Sequence, residues 1–231
     1  MTVDDSPDLA AGSGSQAMPD PAPPDPALAE ALGALAARDP DLARAAAVAG
    51  PLPDRRRSPG FATLAKIVVQ QQLSLASAAA IWGRLEAAAR PVAPAAILAL
   101  DDDALRRIGL SARKAEYCRA LATEIVEGRL DLADLAALDD EAAVAALVRV
   151  KGIGRWTAEI YLLFALDRRD IWPAGDLALR VAIQRLKGLA ARPDGPAMAA
   201  LADPWRPWRG VAARLLWHYY RAIRGRAAGI G

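Results

Sequence analysis

Cysteine, histidine and long apolar runs are scarce in this 231-residue sequence. A single cysteine, Cys118, excludes an internal disulfide and any four-cysteine zinc or iron–sulfur site. A single histidine, His218, argues against a histidine-based metal site. No apolar run approaches the roughly 20 residues that a membrane-spanning helix needs, and the acidic N-terminus differs from a secretory signal. These absences favour an intracellular protein that does not enter a membrane.

The sequence also lacks strand-like alternation and the Gly-x-x-x-x-Gly-Lys-Ser/Thr loop that binds mononucleotide phosphates. The net charge of +2 does not by itself indicate a nucleic-acid partner. Hydrophobic residues make up 54% of the chain, so a substantial core is expected. They recur at helical spacing, as Phe61, Leu64, Ile67 and Val68 do. We therefore predict an all-α protein of roughly ten helices.

Composition divides the chain into a tail and one domain. Residues 1–25 are rich in Pro, Asp, Ser, Gly and Ala, which predicts a disordered tail because little surface can be buried. Residues 26–231 form the folded domain, in which Arg129–Leu135 is expected to be one of several short helices. The basic run Arg55-Arg56-Arg57 is open to two interpretations, a solvated loop or a phosphate contact.

A glycine-containing turn, Lys151-Gly152-Ile153-Gly154, separates two helical patterns. Two glycines on either side of an apolar residue allow a sharp turn and leave its amides uncovered. Uncovered amides at the start of a helix bind anions, and Arg149, Lys151 and Arg155 add positive charge around the turn. The pattern predicts a grip on a phosphate of a nucleic-acid backbone.

Three further features have both an ordinary and a functional interpretation. Asp176 opens a helix after Pro173-Ala174-Gly175, and it is either a plain N-cap or a chemical group; the two roles are compatible. Three adjacent glutamines, Gln70–Gln72, precede Leu73 and form either a polar helix end or a finger that enters a duplex. Three tryptophans, Trp205, Trp208 and Trp217, lie within thirteen residues; most of them are expected in the core, and the functional interpretation is that one or two line a cleft.

Lys151–Ala158 followed by Trp172–Asp176 resembles the hairpin, loop and aspartate of the helix–hairpin–helix DNA glycosylase superfamily. Within it, the chain is most similar to the 3-methyladenine DNA glycosylase II branch, which repairs alkylated bases. The resemblance covers about residues 27–224 and implies a two-lobed helical bundle with the active-site cleft between the lobes. Lobe A would comprise about residues 26–60 plus 178–226, and lobe B about residues 61–177. No segment corresponds to the N-terminal β domain of larger members, so a compact form is expected.

The resemblance also implies roles for particular residues. Asp176 corresponds to the catalytic aspartate, Trp217 and Trp156 to walls of the base pocket, and Ile160 to a position held by a pocket tyrosine in relatives. Gln72 corresponds to the side chain inserted into the gap left by the extruded base, with Leu73 as a substitute. The residues expected to bind DNA are Gln72, Leu73, Lys151, Gly152, Ile153, Gly154, Arg155 and Thr157. No cofactor is required, but the carbonyls of Val148, Val150 and Ile153 are expected to hold Na⁺ or K⁺.

The activity implied is that of a monofunctional DNA glycosylase in base excision repair. It would extrude an alkylated purine of the 3-methyladenine type from double-stranded DNA and hydrolyse its N-glycosidic bond. Trp156 stands where strand-cutting relatives carry a lysine, which excludes a Schiff base at that position. A cytoplasmic, nucleoid-associated monomer is expected. Two alternatives stay open: a glycosylase for deaminated or oxidised bases, and a non-catalytic DNA-binding module.

Overall fold

The structure, a computed structural model, describes residues 25–228. These residues form twelve α-helices and two short 3₁₀ helices and contain no strand, so the all-α prediction is confirmed. The α-helices are α1 Pro26–Arg38, α2 Pro40–Ala49, α3 Phe61–Gln70, α4 Leu75–Ala88, α5 Pro94–Leu98, α6 Asp102–Ile108, α7 Ala112–Val126, α8 Asp140–Val148, α9 Arg155–Ala165, α10 Leu177–Leu186, α11 Gly195–Ala202 and α12 Arg209–Ala228. The 3₁₀ helices span Asp134–Ala137 and Asp203–Trp205.

Short polar side chains begin most of these helices. The residue before the first turn accepts a hydrogen bond from an N–H of that turn, which would otherwise lack a partner. Eight helices are capped in this way, by Asp25, Asp39, Ser74, Asp101, Ser111, Asp139, Asp176 and Asp194. The predicted tail lies outside the described residues except for Asp25.

Buried side chains form two clusters. One draws on α3 to α9, and the other on α1, α2, α10, α11 and α12 together with Trp172. Trp217 packs against both clusters, so α12 joins them. Two clusters support the interpretation of two lobes, whose boundaries near residues 60 and 178 stay a prediction.

The local structure differs from what the sequence predicts in three places. The helix expected at Arg129–Leu135 is absent, because the N–H groups of Arg129 and Leu130 both donate to the carbonyl of Glu124 and turn the chain. Helix α11 was not predicted, since its small residues show little periodicity. The sequence predicts a helix over Phe61–Gln72, but α3 ends at Gln70, because Gln71 has a ψ of 130° and Gln72 has a φ of 55°. Over residues 25–228, none of the helices combines the length and apolarity that a membrane span requires.

Candidate active site

A cleft of about 680 Å³ opens between the two clusters. One wall is a stripe on α9, Trp156, Ile160 and Phe164, whose spacing of four residues places them on one helix face. The lining also includes Trp217 of α12 and Asp176 at the start of α10. The predicted catalytic residue and all three predicted pocket residues therefore line the same cleft.

Asp176 sits at the edge of this cleft, held by three N–H donors. Its Oδ1 accepts from the backbone of Leu179 at 2.8 Å, as an N-cap does, and from Trp217 Nε1 at 3.0 Å. Its Oδ2 accepts from Trp156 Nε1 at 2.8 Å. Within the described residues no Lys or Arg forms an ion pair with Asp176. The carboxylate thus faces the cleft instead of being consumed in a structural salt bridge.

The tryptophans divide between core and cleft. Trp217 stacks on Phe164 with ring centroids 5.8 Å apart, and Trp156 is 39% exposed. Trp172 and Trp205 are buried against each other in the second cluster, edge to face at 5.5 Å. Only two of these four indoles therefore present a face to the cleft.

The hairpin preceding α9 turns at Gly152, where φ is 90°. A Cβ on Gly152 would lie 2.1 Å from the ring of Tyr117, so glycine is required for both conformation and space. Gly154 meets nothing within 4 Å, and no side chain caps α9. The first-turn amides of α9 therefore stay uncovered, as an anion site requires.

The charged side chains of the hairpin are engaged with carboxylates. Lys151 Nζ lies 2.5 Å from Glu116, and Arg155 donates to Glu141 at 2.6 and 3.0 Å and to Glu159 at 2.9 Å. The uncovered amides, together with exposed Arg149, are left as the groups available to a phosphate. The sequence shows the positive charges, but the pairing of Lys151 with Glu116 and of Arg155 with Glu141 depends on the fold.

Two of the residues expected to bind DNA lie inside the hairpin. Ile153 and Thr157 are both 3% exposed, and the hydroxyl of Thr157 accepts from Gln71 Nε2 at 2.9 Å. The same Nε2 donates to the carbonyl of Gly152 at 3.1 Å. These contacts make Ile153 and Thr157 supports of the turn, while Gly152 and Gly154 shape its surface.

The glutamine turn is fixed from two sides. Lys114 Nζ donates to the carbonyl of Val69 and, at 2.7 Å, to that of Gln71, which neutralises the C-terminal end of α3. Gln71 in turn reaches the hairpin, which leaves Gln72 and Leu73 exposed beside it. Sequence reasoning named Gln72 but missed the positioning roles of Gln71 and Lys114, because these depend on contacts across the fold.

The carbonyls expected to hold a monovalent cation belong to residues that line one surface depression beside the hairpin. That of Val150 already accepts from the N–H of Ile153 at 3.0 Å, which leaves it one lone pair. The donor set is neutral oxygen and fits Na⁺ or K⁺, so this site stays a prediction. Among residues 25–228, no cluster of His, Cys, Asp and Glu could hold a metal ion.

Comparison with known proteins places these features in a family. The model of the HhH-GPD superfamily of base excision DNA repair proteins matches residues 65–207, more than half of the chain. The Bacillus subtilis protein YfjP is 36% identical over 124 residues, which are 54% of this chain and 43% of YfjP. The Schizosaccharomyces pombe DNA-3-methyladenine glycosylase 1 is 32% identical over 161 residues, 68% of this chain and 71% of that protein.

A solved structure of the S. pombe 3-methyladenine DNA glycosylase Mag1 in complex with abasic DNA superposes with a TM-score of 0.75 at 29% identity. The match covers 81% of this chain and 95% of that one. The chain spans less than half the length of YfjP but most of the length of the S. pombe protein. Sequence and fold agree, and the chain belongs to the HhH-GPD superfamily of base excision DNA repair proteins.

Proposed function

We propose that this protein is a monofunctional DNA glycosylase that removes alkylated purines of the 3-methyladenine type in base excision repair. The observation that carries the proposal is the Asp176 carboxylate, held by two indole N–H groups at the edge of an aromatic cleft. The names of its relatives, DNA-3-methyladenine glycosylases, support the substrate class.

The base must leave the duplex before its bond to the sugar can be reached. The hairpin amides bind a backbone phosphate, and Gln72, with Leu73 beside it, fills the space that the base vacates. The extruded base enters the cleft between Trp156 and Trp217. An electron-poor alkylated ring stacks well on an indole, by the attraction that a cation has for an aromatic face.

Asp176 then stabilises the positive charge that develops on the sugar as the bond breaks. A purine alkylated on a ring nitrogen is already cationic and leaves as a neutral molecule, so no second acid is needed to protonate it. The carboxylate has four acceptor sites, of which three are occupied by Leu179, Trp156 and Trp217. The remaining lone pair belongs to Oδ2, and we assign it to the sugar or to the attacking water.

A strand-cutting reaction would need an amine in the cleft. The chain has four lysines, and none of them lines it. They are engaged elsewhere: Lys66 lies over the ring of Trp82, Lys114 holds the glutamine turn, and Lys151 and Lys187 pair with carboxylates. Trp156 at the hairpin therefore supports simple hydrolysis. We propose that the enzyme acts as a monomer on double-stranded DNA at the nucleoid.

The test is Asp176→Asn. Asparagine caps a helix as well as aspartate does, so α10 is retained while the charge is lost. Release of 3-methyladenine from methylated duplex DNA should fall by about a hundredfold or more. Affinity for a duplex with an abasic site should persist.

Asp194→Asn is the matched control, since Asp194 caps α11 through Ala197 at 2.9 Å outside the cleft. It should release base at the parent rate. If Asp176→Asn released base at the parent rate, Asp176 would not be the catalytic residue. If the parent protein bound DNA without releasing base, a non-catalytic DNA-binding module would be favoured.

A further inference from the structure

One end of the cleft is rich in arginine. Arg57 and Arg214 line it next to the C-terminal end of α9. The backbone N–H of Arg57 donates to the carbonyl of Phe164 at 2.8 Å, and its guanidinium lies 5.9 Å from the centre of the Phe164 ring. Arg214 is one turn before Trp217 and reaches Asp167, two residues beyond α9, at 3.6 Å. Both arginines therefore lie far from the hairpin.

The length of α9 limits which part of a DNA substrate could contact Arg57 and Arg214. At a rise of about 1.5 Å per residue, Phe164 lies about 12 Å from Trp156, which is beside the hairpin. A backbone phosphate held by the hairpin amides is therefore too distant. One face of Trp217 stacks on Phe164, so a purine uses the other face. Asp176, Trp217 and both arginines line the same cleft. A purine whose sugar lies at Asp176 can therefore bring the edge remote from that sugar to the arginine end.

Both guanidinium groups have unused donors. Arg57 Nη1 and Arg214 Nε are buried and have no hydrogen-bond partner in the described part of the chain. Arg214 is only 8% exposed, and no carboxylate in that same part of the chain lies within 4 Å of Arg57. A buried donor without a partner is costly, and such groups are rare in folded proteins. A ligand that places hydrogen-bond acceptors at this end of the cleft would provide partners for these buried donors.

We propose that Arg57 and Arg214 form a subsite that selects damaged purines carrying an oxygen at position 6. This inference rests on the proposed function and specifies its substrate class. Guanidinium groups only donate hydrogen bonds, and arginine pairs favourably with the O6 and N7 acceptors of guanine. Adenine presents an amino group at position 6, which is a donor and would oppose the donors of the subsite. Guanine-type and hypoxanthine-type bases therefore gain hydrogen bonds here, in addition to the contacts with the cleft that they share with adenine-type bases.

The experiment compares two bases that carry the same alkyl group on the same nitrogen. DNA treated with a radiolabelled methylating agent contains 3-methylguanine and 3-methyladenine, and both released bases are measured from one sample. Arg57→Met and Arg214→Met should each lower the ratio of 3-methylguanine to 3-methyladenine release about tenfold, because they remove donors that only 3-methylguanine can use. Equal slowing of both bases, or no change in the ratio, would overturn the proposal.

Two matched controls separate the subsite from general charge and from folding. Arg56 lines the same cleft but is paired with Asp54 at 2.8 Å, so Arg56→Met should leave the ratio unchanged. Asp167→Asn removes the carboxylate beside Arg214 and keeps the guanidinium, and asparagine tolerates the φ of 49° at this position. If Asp167→Asn lowered the ratio as much as Arg214→Met does, Arg214 would act through its ion pair and its assignment would fail. Arg57, which forms no ion pair with any residue from 25 to 228, tests the subsite independently of that outcome.

A binding measurement separates this inference from the proposed function. The Asp176→Asn protein is titrated with duplexes that differ only in one hypoxanthine or adenine, with and without Arg57→Met. A preference for hypoxanthine that Arg57→Met abolishes supports the subsite even if the parent protein releases no base. A preference that persists in Arg57→Met, or that is absent from both proteins, refutes it.

Discussion

At the scale of single residues, the two interpretations of Asp176 turn out to be one arrangement. Its Oδ1 caps α10 through Leu179, which fixes the side chain at the edge of the cleft. Two indoles from different helices then orient the carboxylate, so Trp156 and Trp217 would position the catalytic group as well as enclose the base. Asp176 is a helix cap like others in the chain, and it is a candidate catalytic group because two indole N–H groups and the cleft surround its carboxylate.

Trp217→Phe tests the positioning role. Phenylalanine keeps an aromatic ring against Phe164 but removes the N–H that donates to Asp176 Oδ1. Turnover should fall about tenfold, the size expected for one hydrogen bond to a charged group. Single-turnover release of 3-methyladenine measures the loss.

Trp205→Phe is the comparison, because it also removes an indole N–H from an aspartate, Asp39, but inside the second cluster. It should lower the melting temperature and leave turnover per folded molecule intact. Equal losses of turnover in the two variants would mean that Trp217 acts only through packing.

The tryptophans also show what sequence reasoning can reach at this scale. Their number and clustering predicted that some would be in the core and some in a cleft, and the family resemblance selected Trp156 and Trp217. The contacts of Arg57 with Phe164, of Arg155 with Glu141 and of Lys114 with Gln71 could not be predicted, because each joins residues that are distant in the chain.

At the scale of elements, the two glycines of the hairpin have different reasons to be glycine. Gly152 has a positive φ and no space for a Cβ beside Tyr117, whereas Gly154 has an ordinary φ of −85° and open space around it. Glycine at position 152 is therefore needed for folding, whereas glycine at position 154 keeps the amides accessible to a phosphate.

Alanine substitutions should therefore separate stability from binding. Gly152→Ala should lower the free energy of unfolding by roughly 1–3 kcal/mol, because it adds a strained φ and a clash. Gly154→Ala should leave that free energy unchanged or slightly raised and should still weaken DNA binding, since its Cβ would cover the anion site. Chemical denaturation and titration with an abasic duplex measure the two effects. Normal DNA affinity in Gly154→Ala would exclude the hairpin amides as the phosphate site.

Helix prediction succeeded where the sequence carries both a cap and a periodic apolar face. The sequence predicts helices that begin at Ala112, Arg155 and Leu177, and α7, α9 and α10 do begin there. Ser111 and Asp176 are strong caps, and Gly154 ends a sharp turn. Helix α11 begins Gly-Pro and contains mainly small residues, so its apolar period is weak. The cleft was predicted from the family resemblance, because no local sequence pattern indicates it.

At the scale of the whole molecule, the two clusters meet around a small group of charges. Glu159 of α9 is 4% exposed and contacts Arg155, and the negative charges of Glu141 and Asp176 are nearby. Burial raises the pKa of Glu159 to about 7, although Arg155 opposes the rise. The ordinary pKa of a glutamate in an unfolded chain is 4.5. The native state consequently binds more protons than the unfolded state between these two values.

Stability should therefore fall as pH rises from about 4.5 to about 7, because protons that the native Glu159 binds are lost across that window. Glu159→Gln mimics the protonated form and lacks this dependence, so its stability relative to the parent should rise over the same window and level off above it. Glu124 is the control, since its hydrogen bond to Arg129 on the surface of α7 lowers its pKa, and Glu124→Gln should show no such rise. Melting temperatures of the three proteins from pH 4.5 to 8 provide the comparison. Parallel curves for the parent and Glu159→Gln would show that Glu159 is ionised throughout, with Arg155 compensating fully for its burial.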